Sequence, residues 1–302
     1  MRVVELSGGV GGARMARGLA ACPEVDLTVV VNVGDDETIH GLHVSPDIDT
    51  VIYTLAGVEG PEGWGRSGDS FAANTELGRF GADNRFRLGD LDLALNLQRT
   101  NLLASGEQPL SVVTGALAKA FEVGAAVLPA TDDVLRTEVR LSDGWTSFQD
   151  YFVIRGNRDR VLEIRYRGSE SATSAPGVLE AIQSSDLVVI APSNPPLSIW
   201  PVLAIPPIRQ AVASHPSVMA VSPLFGGLAL KGPADRVMAS LGLPPGNRGV
   251  VEAYRGVIGT IVIDRQDSDD ADLLEDVEVM VTDTRIGDVV AARRLASEMI
   301  AR

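Results

Sequence analysis

Short apolar runs alternate with longer amphipathic stretches along most of this chain. Arg2–Leu6 is apolar enough for a buried strand, and the residues after it, to about Cys22, carry helical periodicity. Leu27–Val31 is apolar and β-branched, as in a parallel strand covered on both faces. From Asp47 to Gly57 the apolar positions Ile48, Val51, Ile52 and Leu55 fall at helical spacing, with Ser45 placed to cap and Pro46 suited to the first turn. Helices are also predicted around 70–80, 90–104 and 110–123. Asp186–Ala191, Val218–Val221, Ile258–Ile263 and Val277–Val281 read as strands, and Arg285–Ala301 as a terminal helix.

The texture changes at about Ala125. Val134–Leu141 and Thr146–Ile154 flank Ser142-Asp143-Gly144, a hairpin signal, and Val161–Tyr166 alternates like a half-exposed strand. The pattern predicts a single α/β domain over 1–302. Its core is a Rossmann-like, doubly wound, mainly parallel sheet over about 1–124 and 173–302, with a small antiparallel β insertion over about 125–172. In such sheets ligands sit beyond the carboxyl ends of the strands. Four post-strand loops are rich in Gly, Pro, Ser or Asn: Ser7–Gly12, Asn32–Asp36, Pro192–Pro196 and Ser222–Gly227. They are expected to converge.

The first of these loops carries the chemistry. Gly8, Gly9, Gly11 and Gly12, with Val10 among them, leave backbone amides open to an anion at the start of a helix whose dipole favours negative charge. A tight turn for close packing is the alternative reading. The loop lacks the Lys-Ser/Thr ending of an ATPase phosphate loop. It also misses the dinucleotide fingerprint, because Arg14 stands where the third small residue belongs, which counts against a nicotinamide-dependent dehydrogenase.

Asp35, Asp36, Glu37, His40, His43, Asp47 and Asp49 crowd fifteen positions. Oxygen ligands of this kind suit Mg²⁺ held by one or two carboxylates together with substrate phosphates. Acidic capping at a helix start, which needs no metal, is the alternative reading of Asp47 and Asp49. The two histidines lie in a predicted loop with no cysteine nearby, so ordering of that loop or hydrogen bonding to a substrate fits them better than zinc. Trp64 between Gly63 and Gly65 suits a wall beside a flat ligand, and Arg66, Arg85 and Arg87 are cations available to anionic groups. Ser193 and Asn194 lie among prolines that stiffen the loop.

Composition narrows the classes. The net charge of −14 argues against a phosphate-backbone nucleic-acid binder. Half of that charge lies in Asp264–Glu278, with eight acids against one arginine, and reads as a solvated loop. No apolar run is long enough to span a bilayer, and the N-terminus enters strand-like sequence without a signal-peptide pattern, so no membrane partner and a cytoplasmic location are expected. The lone Cys22 excludes an intrachain disulfide and falls on an apolar helix face, as a buried structural thiol.

Several ordered motifs then combine. Gly8-Gly9-Val10-Gly11-Gly12-Ala13-Arg14 is followed by Val31-Asn32-Val33-Gly34-Asp35-Asp36, His40-Gly41-Leu42 and Ser45-Pro46-Asp47-Ile48-Asp49-Thr50. Gly63-Trp64-Gly65, Leu88-Gly89-Asp90-Leu91-Asp92-Leu93-Ala94, Arg99-Thr100, Leu128–Asp133, Ala191–Pro195 and Ser222-Pro223 come later. Together they resemble the 2-phospho-L-lactate transferase family of coenzyme F420 biosynthesis, over nearly the whole chain. The resemblance implies transfer of a phospho-acid group from a guanosine diphosphate ester to the ribityl hydroxyl of 7,8-didemethyl-8-hydroxy-5-deazariboflavin, with release of GMP. The donor is lactyl-2-diphospho-5′-guanosine or its phosphoenolpyruvyl or 3-phosphoglyceryl analogue. It also implies Mg²⁺ as cofactor and a homodimer.

On that reading Gly8–Gly12, Ser193 and Asn194 hold the nucleotide and its phosphates, and Asp47 and Asp35 hold the metal. Asp49, Asp36, Trp64 and Arg87 face the deazaflavin, and Asp49 and Asp47 act in catalysis. A non-catalytic nucleotide-sugar-binding regulator of the same fold is the alternative. Gly63-Trp64-Gly65 and Leu88-Gly89-Asp90 favour the transferase.

Overall fold

The computed structural model describes residues 1–106 and 108–302. β1 (Arg2–Ser7), α1 (Gly9–Ala20) and β2 (Asp26–Val31) come first, then the strands β3 (Glu37–Ile39) and β4 (Leu42–Val44). Helices α2 (Pro46–Leu55), α3 (Ala72–Arg79), α4 (Asp90–Ala104) and α5 (Leu110–Ala120) follow. β5 (Ala126–Pro129), β6 (Arg136–Leu141), β7 (Gly144–Ser147) and β8 (Glu163–Arg167) lead to α6 (Val178–Ser184) and β9 (Leu187–Ile190). Next come α7 (Trp200–Leu203), α8 (Pro206–Ala213), β10 (Val218–Val221), β11 (Leu224–Phe225) and β12 (Leu228–Ala229). The chain closes with α9 (Ala234–Ser240), α10 (Asn247–Ala253), β13 (Thr260–Asp264), β14 (Glu278–Thr282) and α11 (Val289–Ile300).

Seven strands form one sheet in the order β14-β13-β10-β9-β1-β2-β5, and every pair in it is parallel. All of β9, β10 and β13 is buried, which is why these runs are almost wholly apolar. Helices flank the sheet. α1 packs on α2 and α11, and Gly18 lets α1 approach the Ala292 backbone, whose carbonyl oxygen a Cβ there would meet at 2.5 Å. From β1 the sheet is built outward through β2 and β5 on one side and through β9, β10, β13 and β14 on the other. The winding therefore reverses between β1 and β9, the point beyond whose carboxyl ends such sheets hold their ligands.

The expected fold class is what the chain adopts, with four corrections of detail. Ala126–Pro129, expected in the insertion, is the edge strand of the central sheet, with Thr28 paired to Ala126 and Val31 to Pro129. Four residues are too few to show which sheet they join, and Pro129 is tolerated because the strand lies at an edge. The antiparallel sheet is β7-β6-β8 only. The stretch read as a strand to Ile154 ends at Ser147, and Asp150–Ile154 forms a π-helical turn. An unbroken apolar run such as Tyr151–Ile154 does not by itself separate strand from helix.

The acidic segment is also more than a solvated loop. Asp264 and Asp267 are buried, and Asp267 accepts bonds from the Gly226 and Gly227 amides at 3.1 and 2.7 Å. Asp264 accepts from the amides of Gln266 and Thr284, both at 3.0 Å. Finally, Ser45 does not cap its helix through its side chain. Cys22 is a buried free thiol. Among the described residues no helix is long and apolar enough to cross a membrane.

Candidate active site

The site is built at the reversal point, where α1 starts. Gly8 is extended (φ −162°) and Gly9 adopts φ +63°, a left-handed conformation that favours glycine. The glycines differ in what they do. A Cβ at Gly11 would overlap the Pro192 carbonyl oxygen, one at Gly12 would overlap the Ser7 hydroxyl, and one at Gly8 would lie 3.0 Å from Asp47 Oδ2. Gly9 alone of the four faces open space, since a Cβ there would meet nothing within 4 Å. Three of the glycines thus permit close packing, and Gly9 alone has open space beside it.

Asp47 joins the second loop to the first. Its Oδ1 accepts the Gly9 amide at 2.8 Å, and its Oδ2 accepts Asn32 Nδ2 at 3.0 Å. Asn32 Oδ1 in turn takes the Gly34 amide at 2.7 Å. Ser193 Oγ donates to the Gly8 carbonyl at 2.6 Å and joins the third loop. Asp47 thus occupies one of the free first-turn amides of a neighbouring helix, and those of Val10 and Gly11 remain without an intrahelical acceptor. The fourth loop does not take part. Ser222 Oγ donates to Asn247 Oδ1 at 2.6 Å, and Gly226 and Gly227 are tied to Asp267.

Four carboxylates crowd the same interior, with Asp35, Asp36, Asp47 and Asp49 all nearly buried. Burial pushes the Asp47 carboxyl up to about 6, against the pull of its bonds from Asn32 and Gly9. Burial, with the charge of Asp47, pushes Asp35 well above the ordinary range. Asp35 Oδ1 is buried with no hydrogen-bond partner. A divalent cation fits this surplus of negative charge, with Asp35 and Asp47 as the residues to hold it. Among the described residues no group of three or more His, Cys, Asp or Glu side chains is arranged to hold a metal ion by itself.

Three polar pairs order the rest. Arg99 of α4 is fully buried and grips Asp49 with both terminal nitrogens, Nη1 to Oδ2 at 3.1 Å and Nη2 to Oδ1. Arg99 Nη1 also donates to Asn96 Oδ1 at 2.7 Å. Asp36 Oδ2 lies 2.9 Å from His43 Nε2 and accepts the Ser45 hydroxyl at 2.8 Å. Tyr53 donates to Asp92 Oδ1 at 2.8 Å, and burial pushes Asp92 up to about 6.

The remaining sequence candidates lie around this centre. Asn194 Oδ1 accepts the Leu197 amide at 3.2 Å, and its Nδ2 is buried without a partner. Trp64 is half exposed, on a loop whose Gly63 packs on Val10 beside the Arg14 guanidinium. Arg87 is exposed and stacks over the Phe71 ring, 4.1 Å from its centroid. Arg85 is paired with Asp83, 2.6 Å away on the surface. Sequence reasoning gave no role to Asn32 or Arg99. Asp92, Asn96, Arg99 and Thr100 share a helical face, and a polar stripe holding an arginine between Leu95 and Leu102 was the available signal for a buried partner.

Residues 3–300 match the family model of 2-phospho-L-lactate transferase CofD. The chain belongs to the 2-phospho-L-lactate transferase family. It is 40% identical to a 2-phospho-L-lactate transferase of Methanopyrus kandleri, with 99% of this chain and 97% of that protein covered. It is also 42% identical to a phosphoenolpyruvate transferase of Streptomyces griseus, over 92% and 89% of the two chains. A crystal structure of a UPF0052 family member from Bacillus halodurans shares the fold, with a TM-score of 0.66 at 17% identity over 99% of this chain and 98% of that one. The family is one of transferases, and membership implies a place in coenzyme F420 biosynthesis.

Proposed function

We propose that this transferase moves a phospho-acid group from a guanosine diphosphate ester to the ribityl hydroxyl of 7,8-didemethyl-8-hydroxy-5-deazariboflavin and releases GMP. One observation carries the reading. The Gly9 amide, Asp47 and Asn32 are bonded into a single unit at the sheet's reversal point, so the helix start and the acidic cluster lie side by side. Relatives named for phospholactate and for phosphoenolpyruvate transfer support this substrate class.

The diphosphate is assigned to the Val10 and Gly11 amides at the start of α1, where the helix dipole favours it. Ser193 and the buried Asn194 Nδ2 face the nucleotide side. Asp35 and Asp47 are assigned to Mg²⁺, which when bound offsets charge on the phosphates and on departing GMP. Asp49, fixed by Arg99, and Asp36, fixed by Ser45, face the acceptor with Trp64 and Arg87 at the rim. Catalysis on this reading is positioning and electrostatic stabilisation of a phosphoryl-type transfer.

The test is incubation of purified protein with the deazaflavin, Mg²⁺ and each guanylylated acid in turn, followed by mass analysis. One donor is expected to give GMP and a phosphodiester-linked deazaflavin. No GMP from any donor, together with tight binding of nucleotide sugars, would assign the chain to the regulator alternative instead.

A further inference from the structure

The transfer needs a group that takes the hydroxyl proton; Asp35 and Asp36 each keep one oxygen without a partner, but both side chains are almost fully buried, whereas His43 is reachable. Both oxygens of Asp49 are held by Arg99. Both oxygens of Asp47 accept bonds from Gly9 and Asn32. We propose that His43, oriented by Asp36, is the general base that accepts the proton of the attacking acceptor hydroxyl. The inference rests on the transferase reading above.

The hairpin that carries His43 is built for placement. His40 and Gly41 have φ of 52° and 79°, a two-residue turn whose positive φ angles match strand twist. Thr38 pairs with His43 and Glu37 with Val44, which brings the imidazole back to the loop that holds Asp36. The His43 amide donates to Thr100 Oγ1 at 2.8 Å, and Thr100 Oγ1 donates to the Asn96 carbonyl at 2.7 Å, so α4 pins the hairpin.

The pair has the polarity of a base and its orienting acid. A carboxylate only accepts, so Nε2 carries the proton toward Asp36 and Nδ1 presents its lone pair. Nδ1 has no protein partner among the described residues. The His43 side chain is 28% exposed and that of Asp36 2%, so the acid is shielded while the imidazole is reachable. Asp36 before the hairpin bonds His43 and Asp49 on α2 acts on it through space, while Asp49 is itself paired with Arg99 of α4.

In the step, the acceptor O–H bond breaks and its proton moves to Nδ1. The freed oxygen forms a bond to the phosphorus that carries the small acid. The bond from that phosphorus to the bridging oxygen breaks, and GMP leaves with the bridging oxygen and its electron pair. Asp36 stabilises the imidazolium, which returns its proton to solvent.

The experiment compares wild type with His43→Gln and His43→Ala, using the deazaflavin, Mg²⁺ and the donor on which wild type is active. Expected is a kcat lower by about 100-fold or more in both variants, unchanged GDP affinity, and loss of the acid limb of the kcat–pH profile. Added imidazole is expected to restore part of the His43→Ala rate. Wild-type kcat in His43→Gln, or a raised KM alone with the pH profile intact, would overturn the assignment while leaving the transferase reading standing. GMP release by wild type from no donor would remove both.

Discussion

Removing the Asp49 charge tests stability and chemistry together. The side chains of Arg99 and Asp49 are 0% and 6% exposed, and two nitrogens of the guanidinium are committed to the carboxylate. Deleting one partner strands the other charge in the interior, at a cost of about 3–5 kcal/mol, while replacing both with apolar residues of similar volume is often close to neutral. For a chain of this size each kcal/mol lowers Tm by about 2 °C. Asp49→Leu and Arg99→Met are therefore each expected to lose about 6–10 °C. The double variant is expected to recover most of that loss. Urea unfolding of all four proteins gives the coupling energy, and GMP release gives the activity. Because Asp49 is also assigned to the acceptor, the double variant should fold and remain inactive. Single variants as stable as wild type would refute the buried-pair argument, and a double variant with restored turnover would reduce Asp49 to a structural role.

Three further outcomes are expected. Gly9→Ala should lose about 1–2 kcal/mol from its left-handed backbone and also weaken GDP binding, because its methyl enters the open space there. Calorimetric GDP affinity equal to wild type would move the phosphates elsewhere. Asp92→Asn keeps an acceptor for Tyr53 but removes a carboxyl whose pKa is raised to about 6. A raised acid pKa makes the folded state more stable below the unfolded value and costs stability as pH rises through the folded one. Wild type should therefore lose up to about 3 kcal/mol between pH 4 and 6 that the variant keeps, and parallel Tm–pH curves would contradict this. Asp35→Asn should raise the Mg²⁺ concentration needed for half-maximal GMP release, and an unchanged Mg²⁺ dependence would take Asp35 out of the metal site.

Much of the architecture was legible in local patterns. Fully apolar runs such as Leu187–Ile190 and Val218–Val221 have one stable place, inside a parallel sheet, and the stretches between them had helical period. The glycine loop after β1 and the acids from Asp35 to Asp49 marked the candidate site for the same reason, since residue type and spacing act within a few positions. What lay beyond that range was decided by packing. Ala126–Pro129 joined the central sheet because β2 had a free edge, and the state of a strand so distant in sequence leaves no mark on local periodicity. Asp47 bonds to the start of α1 rather than to its own helix, and Asp49 is committed to an arginine 50 positions away. A buried charge must be matched by whichever group the folded chain brings beside it, and that match depends on distances that exist only once the sheet and helices have closed.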